Sequence, residues 1–84
     1  MNNKHRATLE AVYGRPTRAD IRWNDIEKLV EACGGTVQER EGSRVALILN
    51  GVRSVFHRPH PQPSAKKGAI DAVRLFLKTA GVKP

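Results

Sequence analysis

The sequence predicts an α+β domain in which a helix, three antiparallel strands and a second helix follow one another, with both helices packed on one face of the sheet. Three observations point there. Ile26, Leu29, Val30 and Cys33 recur at the i, i+3, i+4, i+7 spacing of a buried helix face, and Ile70, Val73, Phe76 and Leu77 form a similar stripe near the C-terminus. Between them, two short runs rich in Val, Leu and Ile flank Asn50-Gly51, the dipeptide of a two-residue hairpin turn.

Each element follows from local chemistry. Residues 8–13 place Leu9, Val12 and Tyr13 on one helical face, but Gly14 and Pro16 end that stretch at once, so residues 1–22 read as an N-terminal arm before a domain over 23–84. Asn24 with Glu27 three residues on is a capping pattern, which opens the first helix of that domain. Gly34-Gly35 closes it, because glycine takes the left-handed conformation at a helix C-terminus without steric cost. Thr36 to Arg40 reads as a short strand, Gly42-Ser43 as a turn, Arg44 to Leu49 as a second strand and Val52 to His57 as its return. The period of two puts Val45, Leu47 and Leu49 on one face, and Val52, Ser54 and Phe56 likewise. Pro59, Pro61 and Pro63 make residues 58–63 a stiff, extended connection that cannot join a central ladder. The last helix starts near Lys66 and ends before Gly81.

The charge is lopsided. Residues 1–41 carry seven Lys/Arg against seven Asp/Glu, whereas residues 42–84 carry eight against Asp71 alone, so the net +7 of the 84-residue chain lies in its second half. A one-signed field on half of a small domain suits a polyanion, and RNA or DNA is the commonest inside a cell; the plainer reading is a basic protein kept soluble by its charge. One cysteine, Cys33, forms no intrachain disulfide and fits a reducing cytoplasm. No run approaches the roughly 20 apolar residues of a membrane span, and Met1 to Arg6 leads into no apolar signal region. A cytoplasmic protein with no membrane partner is expected.

His57 and His60 are the only histidines beyond the arm, and imidazole, with an ordinary pKa of about 6.5, suits proton transfer near neutrality. RNA cleavage without a metal needs a base to take the 2′-OH proton and cations to hold charge on the phosphoryl oxygens, for which Arg44, Arg53 and Arg58 are candidates. The same histidines also suit a structural role, hydrogen-bonded to anchor the proline loop. They make a poor zinc site, since zinc takes three or four ligands and no Cys or carboxylate lies nearby, so neither metal nor cofactor is expected. Lys66 and Lys67 open the last helix, where backbone N–H groups and the helix dipole already favour an anion such as a phosphate; the alternative is a solvated charged turn.

The order of elements, the Gly42-Ser43 turn, Asn50-Gly51-Val52-Arg53-Ser54-Val55, the His-Pro loop and the closing Leu77-Lys78-Thr79-Ala80-Gly81-Val82 together resemble the HicA toxin family over Trp23 to Val82. The resemblance implies a double-stranded-RNA-binding-like αβββα fold, ribosome-independent cleavage of mRNA, and neutralisation by a HicB antitoxin encoded alongside. In the family the catalytic histidine comes just after the Gly-Ser turn, where this chain reads Gly42-Ser43-Arg44-Val45. No histidine carries over to that position. Either His57, with His60 second, has taken the role from the neighbouring strand, or the protein binds RNA without cutting it. The rival reading is a non-catalytic double-stranded-RNA-binding module, in which Lys66-Lys67-Gly68-Ala69 resembles the lysine-rich start of the second helix that contacts phosphates. A DNA-binding helix-turn-helix is disfavoured, because three strands separate the helices.

Overall fold

Six elements form along residues 1–84, all of which the computed structural model describes: α1 (Asn3–Tyr13), α2 (Trp23–Ala32), β1 (Thr36–Glu39), β2 (Arg44–Leu49), β3 (Val52–His57) and α3 (Lys67–Thr79). The sheet runs β1-β2-β3, antiparallel throughout, with α2 and α3 against the same face. The expected α+β order of helix, three strands and helix is therefore present.

Alternation decides which strand residues meet the helices. Val45, Leu47, Leu49 and Phe56 are buried beneath Ile26, Leu29 and Val30 of α2 and Ile70, Val73, Phe76 and Leu77 of α3. Each such side chain contributes on the order of 1.5–3 kcal/mol by leaving water. Trp23 and Phe56 lie 5.4 Å apart between ring centroids, and Phe56 meets Phe76 edge-on at 6.4 Å, so three aromatics join the two helices through the edge strand.

Turn chemistry sets the registers. Asn50 and Gly51 both have positive φ, 50° and 79°, as a type I′ hairpin requires. The Asn50 side-chain amide also donates to the Ala80 carbonyl at 2.8 Å, tying the hairpin to the end of α3. Beyond α2, the Gly34 N–H donates to Glu31 O and the Gly35 N–H to Val30 O, the paired bonds of a Schellman ending. Gly35 is needed for a second reason: a Cβ there would stand 2.6 Å from the Ile48 carbonyl oxygen.

Two expectations change. Asn24 does not cap α2: the helix begins two residues earlier than such a cap implies, at Trp23 after Arg22, with no side-chain cap, and the Trp23 N–H is taken by the Pro63 carbonyl at 3.0 Å. A partner across the fold removes the need for a local one. The helix expected over 8–13 starts instead at Asn3, capped by the Asn2 side chain accepting the His5 N–H at 2.8 Å. Its Leu9 and Val12 are buried against α2 and α3, and α1 makes no contact with the sheet, so it forms a third layer behind the two helices. Residues 1–22 thus do not project as an arm. The radius of gyration, 11.6 Å, fits an 84-residue domain without one, for which size scaling gives about 12 Å.

The layer is clasped by Arg74, a cation only 6% exposed. Its guanidinium donates to Val12 O, Asp71 Oδ1 and Thr17 Oγ1, each at 3.0 Å, and the Thr17 hydroxyl donates to Asp71 at 2.7 Å. The Tyr13 hydroxyl closes the other side by donating to the Val82 carbonyl.

Candidate functional site

The proline connection is held at both ends by backbone bonds. At its start the Arg58 N–H donates to the Ser43 carbonyl at 2.9 Å; at its end Ala65 N–H donates to Ile21 O at 2.9 Å, and Arg22 bridges Ser64. The residues just before α2 therefore position the loop that carries the histidines. Together they enclose a cavity of about 1020 Å³. Buried Trp23, Phe56 and Ala65 line its base, and exposed His57, His60, Lys66 and Lys67 line its mouth.

The opposite wall is the start of α3. Lys66 is the N-cap residue and its side chain makes no capping bond, so the N–H groups of the first turn have no side-chain acceptor, while Lys67, Gly68 and Ala69 line the cavity. Unpaired donors, the positive end of the helix dipole and two unpaired lysines make this wall attractive to an anion. The one carboxylate lining the cavity is Asp20, which Arg18 engages through two bonds of 2.8 and 2.9 Å. That hydrogen bond holds the Asp20 carboxyl below its ordinary range.

The predicted cations separate into three groups. Lys66 and Lys67 line the cavity with His60, and His57 borders it at the end of β3, its side chain turned by the strand alternation to the helix-free face. Arg44 and Arg53 stand on the sheet face away from the helices. Arg44 pairs directly with His57 across β2 and β3; because Ser43 and Arg58 form the adjacent hydrogen-bonded pair, Arg44 and His57 are a non-hydrogen-bonded pair, whose Cα atoms approach to about 4.5 Å and whose side chains lie closest. Arg44 itself donates from Nε to the Glu41 carbonyl at 3.0 Å. Arg53 lies four residues back along β3, about 13 Å from His57 at 3.3 Å per residue, and does not reach the cavity.

Arg58 stands alone. One residue beyond His57, it points to the helix side of the sheet, where its Nε and Nη2 donate to Glu27 at 2.8 and 3.2 Å and its Nη1 donates to Glu39. Glu27 accepts the Trp23 indole N–H as well. The bonds to Glu27 first, then to Glu39, hold Arg58 in its charged form even more firmly than an ordinary arginine. This Trp23–Glu27–Arg58–Glu39 network was not legible in the sequence as a whole, since its members lie up to 35 residues apart and only Trp23 and Glu27, at i, i+4 on α2, are linked by a local spacing. Neither the anchoring of the loop by Ile21–Trp23 nor the clasp at Arg74 carries a sequence signal either.

A family model described as the HicA toxin of bacterial toxin-antitoxin systems matches residues 23–82. The matched span opens at the first residue of α2, so α1 and the connection to α2 lie outside it. No curated protein and no solved structure matches the chain.

Proposed function

The chain belongs to the HicA toxin family, and from that premise we propose that it is an RNA-cleaving toxin whose site lies where the end of β3 and the His-Pro loop border the cavity in front of α3. His57 is the base: it takes the proton of a 2′-OH, the oxygen attacks the neighbouring phosphorus, and the 5′-oxygen leaves with a proton from His60 or water. The products are a 2′,3′-cyclic phosphate end and a free 5′-hydroxyl. Arg44, beside His57 on the same face, holds the charge that develops on the phosphoryl oxygens, and Lys66, Lys67 and the first-turn N–H groups of α3 hold neighbouring phosphates of the strand.

The observation that carries this reading is the pairing of His57 with Arg44. Arg44 occupies the position where the family's catalytic histidine is expected. An arginine there cannot accept a proton, but it can bind a phosphate, and the imidazole directly across the ladder supplies the missing acceptor. The chemistry needs no metal, and the single, already paired carboxylate of the cavity suits that. We assign mRNA as substrate, the cytoplasm as location and a HicB-type antitoxin as partner on family grounds. No helix is long and apolar enough to cross a membrane.

The test is cleavage of an mRNA in EDTA by the purified protein and by the His57→Ala, His60→Ala and Arg44→Ala variants, each checked for folding. His57→Ala should lower the rate by about 10²–10⁴ with RNA affinity nearly unchanged, the size of a general-base contribution; Arg44→Ala should weaken binding and rate together. Full activity in both histidine variants would remove the base from this loop. A wild-type protein that binds RNA but never cuts it would support the second reading, a binding-only relative, which the arginine at the family's histidine position favours.

A further inference from the structure

β3 is an edge strand with a free row of hydrogen-bonding groups. Ser43 and Arg58 form a bonded pair, so the bonded pairs that follow along the ladder are Val45 with Phe56, Leu47 with Ser54 and Leu49 with Val52. The backbone N–H and C=O of Arg53, Val55 and His57 therefore point away from β2, and no turn, loop or cap bond reaches them. Their side chains stand on the helix-free face, where Val55 is 43% exposed and Arg53 and His57 are exposed. On β2 and β3 that face carries Arg44, Arg53 and His57 around Ala46, Ile48 and Val55, and no carboxylate.

We infer that β3 docks an extended segment of a partner protein, whose backbone pairs with Arg53, Val55 and His57 and whose side chains place carboxylates against Arg53 and His57 with an apolar residue against Val55. Charge complementarity selects this occupant. A second copy of the chain paired through β3 about Val55 would gather Arg44 and Arg53 of both copies on one face where β2 and β3 offer no carboxylate, and clustered like charges disfavour such a pairing. That the donor is the antitoxin rests on the toxin reading; the strand recognition rests on the edge. A segment seated there also covers His57 and the Arg44 side chain beside it, so one contact both completes the sheet and shuts the proposed base.

The experiment uses the full chain and a capped peptide, Thr-Glu-Thr-Val-Thr-Glu-Thr, with a Lys-for-Glu peptide as control, reading amide hydrogen exchange residue by residue. The glutamate peptide should slow exchange at Arg53, Val55 and His57 at least tenfold, and the lysine peptide should not. Val55→Pro removes an outward N–H without touching a bond to β2, a place where an edge strand tolerates proline; it should abolish that protection and leave RNA cleavage as in the unmodified protein. Arg53→Glu, which keeps the backbone intact, should switch the preference to the lysine peptide. Equal protection by both peptides, protection confined to the start of α3, or β3 protection that appears without peptide as the chain dimerises would each overturn the inference. The exchange assay contains no RNA, so a protein that fails to cleave would strike the toxin reading alone, and one that cleaves but shows no protection would strike this inference alone.

Discussion

Glu27 receives the Trp23 indole N–H and two Arg58 donors, and its side chain is only 13% exposed. Arg58 is thus spoken for, while Lys66 and Lys67 are exposed and form no ion pair. The two kinds of cation should respond oppositely to mutation. Arg58→Ala leaves the Glu27 carboxylate with one donor and should cost about 1.5–3 kcal/mol, the range for hydrogen bonds to charged groups, seen as a lower urea midpoint. The Lys66→Glu/Lys67→Glu pair should change stability by no more than about 0.5 kcal/mol per site. It should instead weaken RNA binding across sequences and flatten the slope of log K against log salt by roughly 1–2, as two phosphate contacts are lost. A flattened slope with unchanged stability in Arg58→Ala would place that guanidinium on the phosphate after all.

At the scale of elements, the turn between β1 and β2 and the clasp between α1 and α3 carry the testable strain and charge. Gly42 and Ser43 both have positive φ, 68° and 65°, and serine takes that conformation at a steric cost. Ser43→Gly should relieve it and raise stability by about 0.5–1 kcal/mol after glycine's extra unfolded-state entropy is counted, measurable in thermal unfolding. The clasp is pH-dependent. The Thr17 hydroxyl, then Arg74, hold the Asp71 carboxyl below its ordinary range. A carboxyl depressed in the folded state contributes stability that is present above its unfolded value of about 3.9 and is lost as pH falls through the lower folded value. Melting curves of the wild type and Asp71→Asn should differ by a constant amount from about pH 5 to 7 and converge toward about pH 2. A constant gap down to the lowest pH would mean that Asp71 acts through something other than its charge.

For the whole molecule, α1 supplies a layer beyond the family's matched span. A three-stranded sheet under two helices leaves the back of α2 and α3 to be covered, and Leu9 and Val12, 2% and 0% exposed, cover it. Leu9→Ala should therefore cost about 2–5 kcal/mol, a large share of the stability of a domain this small, with the loss visible in both thermal and urea unfolding. A loss below about 0.5 kcal/mol, the size of a surface change, would show that α1 is an appendage.

Periodicity and turn chemistry were enough to locate α2, the three strands, the type I′ turn at Asn50-Gly51 and α3, because each is dictated by neighbours a few residues away. The same local rules brought His57, Lys66 and Lys67 forward as candidates, since side-chain chemistry and a helix start are legible without a partner. Only the tertiary structure decided how long α1 is and that it belongs to the core, because Leu9 and Val12 take their meaning from α2 and α3. It also decided that Asn24 would not cap α2, that Arg44 would face His57 and that Arg58 would turn to Glu27 and Glu39. In each of these the partner lies across a layer or a ladder, 13 or more residues away, and a cation's place in the sequence does not say which carboxylate or phosphate will claim it.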